Sequence, residues 1–203
     1  GKLLKHFTTS NSSLTYDVIH DIMEKDNQLW VATDGGGINI ISLDDFSFTN
    51  IQQKQDDVHS FPANTIYRLY LDSDNNMWAG SIRRGLIGIR NVFACSYQNV
   101  PFGNLYGLSN QTINSFFQDS DGMVWVGTDG GGINRFDPLT GTFKHYPSTM
   151  HEKVVSIVEY TPDELLFSSF NEGLFIFHKQ TGRVRPFVLV YKKQMIVNVL
   201  TVS

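Results

Sequence analysis

Apolar and polar residues alternate along this chain in short runs, and the runs return in the same order. Ile66-Tyr67-Arg68-Leu69 is one such run, and alternation with period two predicts a half-buried β-strand. A turn such as Asp119-Ser120-Asp121-Gly122 follows, with glycine supplying a positive φ. A second strand carries a tryptophan, and a glycine-rich turn comes next. A third strand is predicted over Ile133 to Phe136. The turn Asp137-Pro138-Leu139-Thr140-Gly141 then leads to a fourth over Thr142 to Tyr146.

This unit occurs four times. The first copy reads VIHDIMEKDNQLWVATDGGGINII from Val18 to Ile41, and the second TIYRLYLDSDNNMWAGSIRRGLIGI from Thr65 to Ile89. The third reads TINSFFQDSDGMVWVGTDGGGINRF from Thr112 to Phe136, and the fourth KVVSIVEYTPDELLFSSFNEGLFIF from Lys153 to Phe177. Trp30, Trp78 and Trp125 mark the period, 48 and 47 residues apart, and Phe167 is expected to take the tryptophan's place 42 residues later. A repeat of that length with four strands is the signature of a propeller blade. The expected fold is all-β: a β-propeller fragment of four-stranded antiparallel blades, approximately 15–52, 64–98, 111–147 and 153–188. The tryptophans are expected to fill the wedge between blades. GKLLKHF at the N-terminus matches a fourth strand and Ile196 to Val202 a first strand. Single terminal strands are therefore expected over 2–7 and 195–202, as partial terminal blades of a longer propeller.

Composition narrows the picture. With 41% hydrophobic, 18% charged and 13% aromatic residues among 203, the chain can build a core. A net charge of −4 without a basic face argues against nucleic-acid binding. The longest apolar run, around Phe187 to Tyr191, is too short to span a membrane. Cys95 is the single cysteine and cannot make an internal disulfide; it reads as a packed residue in an outer strand.

Asp119 to Phe143, and more briefly Leu29 to Ile40, resemble the repeat of two-component-regulator propellers. The second and fourth copies depart from it at Ser81-Ile82-Arg83-Arg84-Gly85 and Ser168-Ser169-Phe170-Asn171-Glu172-Gly173. The resemblance implies the periplasmic sensor region of a hybrid histidine kinase/response regulator, as in Bacteroidetes. There, propellers and an immunoglobulin-like domain join through a membrane helix to kinase domains, and many such sensors respond to oligosaccharides. No phosphoacceptor, ATP-lid or receiver signature stands in this sequence, so the segment is expected to be no enzyme, and any kinase activity would belong to other parts of a longer chain.

The candidate ligand residues are Arg83, Arg84, Asp34, Asp129, Asn171 and Glu172, all at the turn between second and third strands. Two arginines break the repeat where a plain turn was available, and Arg holds carboxylates or sulfates bidentately. A solvated turn or an inter-blade salt bridge is the competing reading. Asp34 and Asp129 read first as caps of their own turns, and the triple glycines as positive-φ turns rather than anion nests. Asp72-Ser73-Asp74-Asn75-Asn76 and Asp119-Ser120-Asp121-Gly122 look loosely like calcium loops but lack the downstream Glu, so neither a metal nor a cofactor is expected. His59, Phe61 and Tyr106 on the links between blades either stack on sugars or plug the blade tops. The expected function is oligosaccharide sensing and signal transduction, with neighbouring blades and domains as partners and a homodimer through exposed blade faces. The alternatives are a protein-interaction scaffold and, less favoured, a glycoside hydrolase using Asp34 and Asp129 as paired carboxylates.

Overall fold

The structure is a computed structural model and describes residues 5–54, 61–90, 93–97, 100–101 and 104–188. It contains four antiparallel four-stranded sheets, each a meander of consecutive strands. The first holds β1 (Ile19–Lys25), β2 (Gln28–Thr33), β3 (Ile38–Ser42) and β4 (Phe48–Ile51). The second holds β5 (Ile66–Leu71), β6 (Met77–Ser81), β7 (Leu86–Arg90) and β8 (Phe93–Tyr97). The third holds β9 (Ile113–Gln118), β10 (Val124–Thr128), β11 (Ile133–Asp137) and β12 (Thr142–His145). The fourth holds β13 (Val154–Thr161), β14 (Glu164–Ser169), β15 (Gly173–His178) and β16 (Val184–Pro186). First strands neighbour one another in turn, β1 with β5, β5 with β9 and β9 with β13, so the sheets radiate from a common axis as propeller blades.

Three apolar cores lie between successive blades. Trp30, Ile38 and Ile40 meet Phe61, Ile66 and Met77 in the first. Trp78 meets Ile113, Val126 and Phe136 in the second, and Trp125 meets Val154, Phe167 and Phe177 in the third. Each tryptophan thus wedges against the blade that follows. The Trp78 and Phe136 rings are 5.1 Å apart, and Trp125 and Phe177 are 5.7 Å apart. The fourth copy corrects the expectation for Phe167. Trp125 pairs with Phe117 and Arg135, and the residue making the same pairings in the last blade is Leu166, opposite Val158 and Ile176. Phe167 instead matches Val126 and faces back into the third core. Neighbouring residues on a strand point to opposite faces, so a displacement of one residue changes the blade interface that a side chain serves.

The glycine-rich turns dock each blade on its neighbour. The amides of Gly35 and Gly37 both donate to the carbonyl of Asn64, and those of Gly130 and Gly132 to that of Glu152. These donors are engaged inside the protein, which supports turns over anion nests. The asparagine that follows each triple glycine is fully buried and has its own task. Asn39 accepts from Thr15 N and donates to Thr15 Oγ1; Asn134 does the same with Ser109. It thereby straps the incoming link to the blade top. Asn134→Ala leaves the Ser109 amide without its acceptor, while the Ser109 hydroxyl keeps its bond to the Gly131 carbonyl, and we expect about 2 kcal/mol of destabilisation in urea unfolding. Ser109→Ala removes the hydroxyl's bonds to Asn134 and to the Gly131 carbonyl but keeps the Ser109 amide on Asn134, and should cost about 1–2 kcal/mol.

At the ends, residues 5–7 form no strand. Phe7 instead packs its ring at a tilt against Phe46 and edge-on against Phe48, with centroids 5.9 and 5.3 Å away. The terminal strand expected over 195–202 lies outside the described residues, as do residues 2–4 and His59. Cys95 falls within β8, as its outer-strand reading required.

Candidate functional site

Each innermost strand carries a β-bulge at the same repeat position, and β13 has a second irregularity between Glu159 and Thr161. Pairing skips His20 in β1, Tyr67 in β5, Asn114 in β9 and Val155 in β13. A bulge re-aims a side chain and strengthens the local twist, and such features recur beside functional sites. Here the ejected residues come together at the axis. Tyr67, Asn114 and Val155 line a cleft of about 370 Å³ with Arg68. Its rim is completed by Asp129, Lys153 and Phe170, from the glycine-turn end of the third and fourth blades. His20 stands beside it, its ring 4.7 Å from that of Tyr67.

Arg68 is held in place by backbone. Its Nε donates to the Asn114 carbonyl at 3.0 Å, and its Nη1 to the carbonyls of His20 and Tyr67 at 3.4 and 3.3 Å. The guanidinium therefore ties β1, β5 and β9 together, lying over the Tyr67 ring at 5.1 Å. Lys153 Nζ sits 3.3 Å from Asp129 and faces the Phe170 ring at 6.0 Å. The cleft combines aromatic surface, an amide and fixed charges, the mixture that orients a polar ligand.

The sequence-level candidates divide. Asp129 lines the cleft, paired with Lys153. Asp34, at the same position of the first blade, lies 3.8 Å from His20 Nε2. Both aspartates have cationic or ionisable neighbours of their own, an arrangement unlike the facing carboxylates of a glycosidase. Arg83, Arg84, Asn171 and Glu172 occupy exposed turn tips outside the cleft. Arg83 and Asn171 have φ of 72° and 68°, the left-handed conformation that Gly35 and Gly130 also adopt at this position with φ of 114° and 92°. Only the first residue of the turn reaches the axis, and in the fourth blade that residue is Phe170. Of the link aromatics, Phe61 is buried in the first core and Tyr106 is exposed.

Tyr67, Arg68, Asn114, Lys153, Val155 and Phe170 escaped sequence reasoning, although a signal existed. Tyr67, Asn114 and Val155 share one repeat position with His20, four unlike residues each preceded by an apolar one, Ile19, Ile66, Ile113 and Val154. Variation inside an otherwise regular strand marks a position freed from packing.

A second cleft, about 310 Å³, opens at the opposite turns between the third and fourth blades. Its wall contains Asp119, whose carboxylate is almost wholly buried. Asp119 Oδ1 caps its turn through the amides of Asp121 and Met123, while Oδ2 accepts from the Trp125 indole at 2.7 Å. Asp72 serves Asp74, Asn76 and Trp78 in the same way. The loops resembling calcium sites thus turn these carboxylates inward. Lys179 Nζ, from the fourth blade, reaches Asp119 at 3.1 Å and also binds Glu159. Burial opposes its charge, but the bonds to Glu159 and Asp119 prevail and hold it above the ordinary lysine value. The Lys179 hydrogen bond draws Glu159 below the ordinary carboxylate value. Burial pushes Tyr146, below this cluster, up to about 12.

The model of the family described as two component regulator propeller matches residues 60–83 and 107–130. Those stretches span the second and third first strands and the tryptophan strands beside them. Among solved structures, the chain is similar to the extracellular domain of BT3049 of B. thetaiotaomicron, assigned as a hybrid two-component system. Identity is 23%, TM-score 0.77, with 91% of this chain and 26% of that chain covered. The corresponding domain of BT4673, from the same organism, gives 20% identity, TM-score 0.68 and coverage of 87% and 23%. Virginiamycin B lyase from Staphylococcus aureus gives 16%, 0.64, and coverage of 88% and 57%. A comparison with curated proteins returns no match. The chain is a β-propeller segment, and two of its four repeats match the two component regulator propeller model. It spans about a quarter of the length of the two B. thetaiotaomicron domains it resembles.

Proposed function

We propose that this chain is a sensory segment in the extracytoplasmic part of a two-component sensor, and that it binds an oligosaccharide in the axial cleft. The observation that carries the reading is the set of four aligned bulges, which brings unlike side chains towards one axial mouth while the residue just before the bulge packs a core in the second, third and fourth blades (Ile66, Ile113 and Val154). A packing role alone gives no reason for a Tyr, an Asn and a Val at one repeat position. The repeat type and the likeness to extracellular domains of hybrid two-component systems support the sensory setting. In that setting the segment itself catalyses nothing. Ligand in the cleft touches the second, third and fourth blades at once. It acts as a signal only by binding one arrangement of the domains better than another.

Tyr67→Ala removes the aromatic floor without touching an inter-blade core. Calorimetric titration with an oligosaccharide panel should show about tenfold weaker binding, equivalent to about 1.4 kcal/mol, at unchanged melting temperature. Equal affinity in the variant would move the site elsewhere, and Arg83 and Arg84 on the neighbouring turn tip would be the next residues to replace. No helix among the described residues is long and apolar enough to cross a membrane.

A further inference from the structure

We infer that the ligand of the axial cleft is an acidic sugar whose carboxylate is received by Arg68. This inference rests on the binding role proposed above for the same cleft. Arg68 is unusual in how its donors are distributed. Nε and Nη1 face backbone carbonyls of three strands, which fixes the guanidinium plane, whereas Nη2 has no protein acceptor among the described residues. No carboxylate pairs with Arg68 among the described residues either. Asp129, the one acid on the cleft wall, is paired with Lys153. The cleft therefore holds two cations and one anion and carries an excess positive charge beside an open pair of N–H donors. A half-buried guanidinium without a counter-ion is where a charge-assisted hydrogen bond gains most.

The rest of the cleft fits a sugar ring attached to that carboxylate. The Tyr67 face is already covered on one side by the guanidinium, and Val155 and Phe170 add apolar wall. The Asn114 amide supplies both donor and acceptor capacity for hydroxyls. Backbone anchoring of Arg68 matters for affinity, because the side chain need not be ordered at the moment of binding.

The test compares two probes of the same linkage and size, digalacturonate and galactobiose, titrated calorimetrically into the full chain. The expected result is at least tenfold tighter binding of digalacturonate, a preference that shrinks as salt rises. Arg68→Gln should abolish the preference. Because Arg68 also ties three strands, Lys153→Met at the exposed rim serves as the second variant and should reduce the preference about threefold with the melting temperature unchanged. Equal binding of the two sugars overturns the acidic ligand while leaving oligosaccharide binding intact. Failure of both sugars, and of a wider neutral and acidic panel, overturns the binding role itself. A preference that survives in both variants places the anion away from Arg68 and overturns the assignment.

Discussion

Gly132→Ala should destabilise the chain by about 3–5 kcal/mol, whereas Gly173→Ala, at the same repeat position one blade on, should cost only about 1–2 kcal/mol. Both glycines have positive φ, 72° and 95°, so both substitutions meet the backbone penalty. Their surroundings differ. A Cβ on Gly132 would stand 2.1 Å from the carbonyl oxygen of Thr149, which is backbone and cannot swing aside, whereas a Cβ on Gly173 meets nothing within 4 Å. The difference between the two variants isolates the clash at the blade junction. Urea unfolding followed by tryptophan fluorescence measures it. Equal losses would mean that the close approach at Gly132 relaxes freely and that the docking of the turn on its neighbour is soft.

The second large effect is expected at Asp119. Asp119→Ala removes the acceptor for two turn amides, the Trp125 indole and Lys179. Breaking one side of a buried ion pair typically costs about 3–5 kcal/mol; Lys179 keeps Glu159, so the loss is expected near the lower end, about 3 kcal/mol, with the turn amides and the indole left without their acceptor. Asp72→Ala makes the same cut in the preceding blade, where no lysine among the described residues pairs with the aspartate, and should cost about 2 kcal/mol. Adding Lys179→Met to Asp119→Ala should recover part of the loss. A double variant no better than the single would show that the lysine charge is well solvated after all. The same cluster predicts a pH dependence. Glu159 is depressed from 4.5, so its contribution is full above that value and is lost as pH falls through the lower folded value. Lys179 is raised from 10.5, so its contribution is full below that value and is lost as pH rises through the folded one. Melting temperatures of wild type and Lys179→Met should converge towards both extremes.

Much of the architecture was legible in the chain because blades are local objects. Strand alternation, the Gly122 and Gly141 turns and the tryptophan period each depend on residues close in sequence. The expected sheets therefore appeared in order, including β8 and β16 where the repeat is weak. Phe167 shows the limit. Aromatic identity pointed to it as the tryptophan's substitute, but pairing with Val158 and Ile176 gives that position to Leu166. Two adjacent large apolar residues are indistinguishable without the register.

The candidate site was less legible. Of the residues expected at the glycine-turn face, Asp129 lines the cleft, whereas Arg83, Arg84, Asn171 and Glu172 do not. Their departure from glycine is absorbed by exposure and by the left-handed backbone of Arg83 and Asn171. The residues that form the cleft sit on inner strands, where Tyr67 and Asn114 look like ordinary members of an alternating run.

By itself the sequence determined the repeat, the strand order within each blade and the side of the blade on which turns and links converge, because these follow from short-range periodicity and turn chemistry. Only the tertiary structure decided which side chains share the axis. A bulge is a mismatch between two strands rather than a property of either. Its result, the meeting of Tyr67, Asn114 and Val155 from three separate blades, exists only once those blades are packed around one centre.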